Sequence, residues 1–300
     1  MVMKSAKNVY HQVNEIAKIL EVKGVKVLRI SEAWEKYRIV KEYFEKKPKD
    51  GFFLWIKKQI NFPISTCLEI SKEKFKQKIA NLTLIEKGIK AKALMLCSAL
   101  KKDLNCYHLA NGFIILRKNA SLEVKHFHNW NTSDKIQMNY NFLLEKNSYV
   151  NYIFKSFNPG NVKFNTFAEL KTYAKFEKKV IMDSKNSDVN LNSIFTLNGV
   201  HSSVISTLKV VARNESKVIA VSKLIGKEQS RGHLECQGLL IGKKAKINLT
   251  PSLIVENRNA LLTHEASIGK ISEDELNYLR SRGLNEEEAI ELLITGFLSE

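Results

Sequence analysis

The segments NASLEV (119–124), KNSYVNYI (146–153), NESKVIAV (214–221) and KKAKINL (243–249) share one layout: polar and small residues lead into a short apolar, β-branched run. Their small residues recur at measured steps, Ser121 to Ser148 (27), Ser148 to Ala174 (26), Ser216 to Ala245 (29) and Ala245 to Ala260 (15). The longer steps are close to twice a 14–15-residue unit. A unit that short cannot bury its own apolar face and must stack on copies of itself. A β-solenoid, or parallel β-helix, satisfies this. A β-sandwich is the alternative, but its hairpins call for Asn-Gly or Asp-Gly turns. Outside the first third, only Asn111-Gly112 and Asn198-Gly199 provide Asn-Gly pairs.

Outward from these segments, residues 109–271 hold further short strands such as GFIILR, LEVKHFHNW and SVISTLKVVA, separated by polar or glycine breaks. Residues 1–108 read as mainly helical. Val9, Val13, Ile16, Ala17 and Leu20 recur at helical spacing before Gly24, and Ser31 can cap a helix reaching Phe44. Ser71 can cap another containing Phe75, Ile79 and Leu82, and AKALMLCSALKK (91–102) reads as a fourth. Residues 272–300 read as two capped helices. Ser272 with Glu275 forms a capping box, Gly283 supplies a left-handed stop, and Asn285 with Glu288 repeats the cap. Ala289, Leu292, Leu293 and Phe297 form an apolar stripe on the second helix. The expected fold is therefore mainly β: a parallel β-helix over 109–271, flanked by an N-terminal helical region (1–108) and a short C-terminal helical pair.

At 44% hydrophobic over 300 residues, the chain is ample for a packed core. A net charge of +17 suits an anionic partner, yet the lysines are spread over most of the chain, as in a generally lysine-rich composition. The opening segment lacks the continuous apolar run of a signal peptide, and ALMLCSAL falls far short of the ~20 residues that span a bilayer. A cytoplasmic protein is expected. Cys67, Cys97, Cys106 and Cys236 form no CxxC pair, which argues against a disulfide framework and a zinc ribbon. P-loop, GxGxxG, HExxH and GxSxG motifs are missing, so nucleotide hydrolysis and serine chemistry are disfavoured.

Metal-capable side chains concentrate near the C-terminus. Cys236, in LECQGLLIG, is a soft thiolate ligand or a structural cysteine. His264 and Glu265 follow at 28 and 29 residues, about two units on, and as strand neighbours they point to opposite faces. His233 could be a second ligand or a turn residue. His126 and His128 share one strand face, which suits a two-ligand arrangement, but unpaired with any nearby acid they read rather as an exposed polar face. Cys97 reads as a small core hydrophobe. Asp183 and Asp188 are weak candidates for the paired acids of a solenoid glycosidase.

GHLECQGLLIG (232–242) and LLTHEASIGKISEDELNYLRSRGLNEEEAIELLITGF (261–297) resemble the C-terminal signature of the SufB/SufD family, core subunits of the SUF machinery for iron–sulfur cluster assembly. Asn129-Trp130 is a minor local match. The resemblance implies a right-handed parallel β-helix and a C-terminal helix pair that docks SufC, an ABC-type ATPase. It implies a non-enzymatic scaffold carrying a transient cluster and passing it to apo iron–sulfur proteins. By position, Cys236 and Glu265 match SufB-type assembly residues, and His264 matches a SufD-type histidine that meets the SufB cysteine across a subunit interface. Holding all three implies a homodimer, with a SufB/SufD-like heterodimer as the alternative. The N-terminal cysteine motif of longer SufB proteins is missing, and no residue is assigned to a flavin. Neither a membrane nor a nucleic acid is implied. A polyanion-binding solenoid remains the competing reading of the charge.

Overall fold

In a computed structural model of the protein, residues 6–157 and 159–299 are described; Met1 to Ser5, Asn158 and Glu300 lie outside them. Among the described residues, nineteen strands fall into a ten-stranded and a nine-stranded sheet, and successive strands alternate between the two over most of the chain. Strands two apart in sequence pair in parallel, without a register shift, from Ser121–Asn129 through Leu261–Lys270. This is a β-solenoid. Tyr149 pairs with Ser121, Lys175 with Tyr149, Ser203 with Lys175, Arg231 with Ser203 and Leu261 with Arg231, so a coil takes 26 to 30 residues. Each coil contains two strands, which is the doubled unit expected from the repeat.

The corners explain the repeat chemically. Asn119, Asn147, Tyr173 and His201 adopt positive φ (57 to 60°), a conformation that asparagine tolerates better than most residues. The next residue is small and buried: Ala120, Ser148, Ala174 or Ser202. Its amide closes a turn onto the third residue back, as in Ala120 to Arg117 and Ser148 to Glu145, 3.0 and 3.1 Å. Its carbonyl accepts from the strand of the next coil, as in Tyr149 N to Ala120 O, 2.9 Å. A larger side chain would not fit this inside corner. The register also moves the repeat by one place, since Ala120 rather than Ser121 is the counterpart of Ser148.

Inward positions alternate along the central strands, as in Lys135–Leu144, where Ile136, Met138, Tyr140, Phe142 and Leu144 are buried. Aromatic rings from the two facing sheets meet in the core: Phe142 against Phe176 and Phe154 against Phe164, tilted pairs with centroids 4.8 Å apart.

The mainly helical reading of residues 1–108 is corrected. Lys7–Val13 and Ile16–Ile19 form an antiparallel hairpin through Asn14, whose φ is 52°. Lys76–Ile85 and Lys90–Ala99, both expected as helix, are strands of the solenoid. Parallel pairing therefore runs unbroken across residue 108, because Tyr107–Leu116 pairs with Lys76–Ile85. Of the helix expected from Ser31, the structure keeps Ile30–Lys36 and Arg38–Lys41, interrupted at Tyr37. That segment covers the outer face of the nine-stranded sheet, where Tyr37 meets Phe53 (5.3 Å) and Phe44 meets Phe113 (5.5 Å).

The C-terminal pair is as read. Glu273–Ser281 and Glu286–Leu298 are helices, both begin in capping boxes, and Gly283 between them has φ +97°. The stripe is rotated from the expected one. Ile294 and Leu298, flanked by Ile290 and Phe297, pack on Ile181 and Val211 of the solenoid, whereas Leu292 is 52% exposed. Arg213 pins this helix, bonding both Asp183 and Glu291. Asp183 is thus an ion-pair partner, and Asp188 opens a strand of the other sheet, so the two do not form a paired-acid site.

Candidate functional site

Cys236 lies on Arg231–Ile241, the second-last strand of the ten-stranded sheet, with Leu208 and Ala266 beside it in register. It faces the interior and is 3% exposed. Burial pushes its thiol pKa up, opposed by a hydrogen bond with Ser222 and by the Lys178 ammonium. Ser222 belongs to a polar column: Thr166, Ser193 and Ser222 occupy one register position on successive strands of the facing sheet. Lys178 donates to Thr166 Oγ1 (2.8 Å) and Ser193 Oγ (2.7 Å), and its ammonium lies 5.0 Å from the centre of the Phe164 ring. Burial lowers its pKa to about 7. A buried lysine bonded to two neutral hydroxyls is costly, and the Cys236 thiol is the group whose anion would compensate it.

His264 and Glu265 lie on Leu261–Lys270, the last strand, and both are exposed. In register, His264 pairs with inward-facing Leu234 and Glu265 with outward-facing Glu235. His264 therefore shares the face of Cys236, one strand over and two residues back, about 8 Å between Cα atoms by strand spacing and rise. Glu265 occupies the outer face, where His233 Nε2 lies 3.5 Å from its Oε1. The chain brings His264 to the Cys236 side and keeps Glu265 off it. His233 is a strand residue on the outer face, bonded to Thr263 (2.8 Å), and not a turn residue or a companion of Cys236. The last coil is uncovered. Ile247, Leu249, Leu253 and Leu262 are only half-buried, and Ile268 is exposed.

A second polar cluster was concealed in the sequence. His126 and His128, expected on an exposed face, are buried in the core with Cys97. Their ligand-capable atoms lie within 4.8 Å of one another. The tautomers run one way. The Trp130 indole, a donor only, bonds His128 Nδ1 at 3.0 Å. The proton of neutral His128 therefore sits on Nε2 and points at His126 Nε2, 2.9 Å away. His126 Nδ1–H then donates to Tyr152 Oη, 2.7 Å. Burial holds both imidazoles neutral, with the His126 pKa down at about 3. An ion at this trio would have to displace the Nε2 proton of His128 while Nδ1 still accepts from Trp130. In this arrangement the cluster is a satisfied core network. The i, i+2 histidine spacing was visible in the sequence; burial, which depends on the facing sheet, was not.

Comparison with known proteins gives the family. The family model for the SufBD core domain of SUF-system FeS cluster assembly matches residues 69–297. The chain belongs to the SufBD family. An iron–sulfur cluster assembly SufBD family protein of Archaeoglobus fulgidus is 29% identical, the match covering 97% of this chain and 84% of that one. One from Pyrococcus horikoshii is 30% identical, over 92% of this chain and 67% of the relative. A Synechocystis relative is 27% identical, and the match spans 55% of its length. Family membership gives the chain a role in iron–sulfur cluster assembly. Among the described residues, no helix is long and apolar enough to cross a membrane.

Proposed function

We propose that this SufBD protein is a non-enzymatic cytoplasmic scaffold on which iron–sulfur clusters are built before transfer to apo proteins, with Cys236 as the sulfur- or iron-holding thiolate. The observation that carries this is the position of Cys236: an inward thiol beside Ser222 and Lys178, one strand from an uncovered last coil that holds His264. The half-exposed apolar side chains of that coil suit a second copy of the chain, in which His264 of one subunit approaches Cys236 of the other. Glu265, on the outer face, supplies a hard oxygen ligand at the rim. Mixed sulfur, nitrogen and oxygen ligation suits cargo that must be released.

ATP hydrolysis belongs to a SufC-type partner. The helix Glu273–Ser281 has no buried residue, and Tyr278 and Leu292 stand 59% and 52% exposed, which fits a docking module anchored by Ile294 and Leu298. The scaffold reading is tested by anaerobic reconstitution of wild type and Cys236→Ser, followed by iron analysis and visible absorbance. Loss of most cluster loading in the variant is expected; equal loading refutes the assignment.

A further inference from the structure

We propose that His11, Cys67 and Glu69 form a binding site for a divalent transition-metal ion that fastens the first strand to the first parallel coil. The site lies at the other end of the molecule from Cys236 and is independent of the scaffold reading. Lys7–Val13 and Ile64–Ile70 pair in parallel with His11 beside Cys67 and Val13 beside Glu69. Ile64, Leu68 and Ile70 face the core, so Cys67 and Glu69, two residues apart, face outward together with His11. One ligand atom from each lies within 4.8 Å of the other two. His11 Nε2 is 2.6 Å from Glu69 Oε2. The backbone under them is held: the Glu69 carbonyl accepts from Asn14 N (2.8 Å) and from Gln77 Nε2 (3.3 Å). The donors are thus preorganised on two paired strands rather than on a loop.

The donor set selects the ion. One thiolate, one imidazole and one carboxylate, with a fourth position open to water, match Zn²⁺ or Fe²⁺ rather than Ca²⁺ or Mg²⁺. Thiolate and carboxylate together neutralise a dication, which suits a site where Cys67 is buried, 8% exposed, and His11 and Glu69 are half-buried. On binding, the Cys67 thiol releases its proton to solvent, and the proton between His11 Nε2 and Glu69 moves to Nδ1 or to solvent. His11 and Glu69 are 58 residues apart in sequence, so the ion would close a long loop and stabilise the N-terminal end of the solenoid.

The test uses the full-length chain carrying Cys236→Ser, which removes the proposed assembly thiol, with Co²⁺ as the optical probe and Zn²⁺ in melting experiments. One equivalent of Co²⁺ with a thiolate-to-cobalt charge-transfer band is expected. Adding Cys67→Ser removes that band and weakens binding about tenfold or more, and Glu69→Gln keeps the band while weakening binding about tenfold. Zn²⁺ raises the Tm of the parent and leaves that of the Cys67→Ser variant unchanged. No Co²⁺ uptake by the parent, a charge-transfer band that survives Cys67→Ser, or full affinity in Glu69→Gln overturns the site. The last readout decides the matter even if Cys67→Ser fails to fold. An equal Zn²⁺ shift in parent and Cys67→Ser overturns the fastening role.

Discussion

Acidification from pH 7 to pH 5 should weaken this fold far more than its surface charges would suggest, because three histidines are locked neutral in the core. Burial lowers the pKa of His108 to about 4 and that of His126 to about 3, and holds His128 well below its ordinary range. In the unfolded chain each titrates near ~6.5. Below that value the unfolded state binds protons that the folded state refuses. Stability is therefore complete above pH ~6.5 and falls as pH drops toward the folded values. One such group loses about 2 kcal/mol by pH 5, so three lose about 5–6 kcal/mol, a large part of a typical ~5–15 kcal/mol total. Urea denaturation at pH 7 and pH 5, followed by far-ultraviolet circular dichroism, measures the difference. His108→Asn, which keeps a partner for the Gln77 carbonyl now 2.8 Å from His108 Nδ1, should remove about one third of the pH dependence. A wild-type loss below about 2 kcal/mol, the contribution of a single such histidine, refutes the neutral-cluster argument.

Lys178→Met should raise stability by about 2 kcal/mol, since an enclosed ammonium is replaced by an apolar side chain of similar length. The same change should slow Cys236 alkylation at pH ~6.5, below the Lys178 value of about 7 so that the ammonium is present, measured by mass spectrometry; an unchanged rate would show that the ammonium does not support the thiolate. Gly199→Ala should cost about 3 kcal/mol or more, because its added Cβ would lie 1.9 Å from the Thr172 backbone nitrogen, where nothing can yield. Thermal melting of this variant at or near the wild-type Tm would contradict the corner geometry.

The solenoid was legible where its corners were. Asn119-Ala120 and Asn147-Ser148 carry the left-handed residue and the small residue that a two-strand coil needs, and both are local. The first third was misread for physical reasons. Lys90–Ala99 is built, Cys97 and Ser98 apart, from lysine, alanine, leucine and methionine, all strong helix formers, and pairing with neighbouring coils overrides that preference. In Lys76–Ile85 the inward positions include Gln77 and Asn81, so burial alternates while hydrophobicity does not. The family signature picked out Cys236, His264 and Glu265, and strand alternation separated the last two correctly. Lys178, the His126–His128 network and the His11–Cys67–Glu69 trio depend on partners that a linear reading does not bring together.

The even pitch of the coils has a consequence for how such a chain can change length. Strands Ser121–Asn129 through Leu261–Lys270 stack in uninterrupted register, with interchangeable corners. A one-residue insertion within a strand would turn every following side chain inside out, whereas a whole coil of about 28 residues can be added or lost with inward and outward positions intact. Length in such a lineage is quantised: each quantum moves one end of the molecule by one strand spacing, about 4.8 Å, and rotates it by one inter-strand twist. Evolution can therefore adjust the separation between the N-terminal trio and the C-terminal thiol in fixed steps, as a ruler is lengthened by whole divisions.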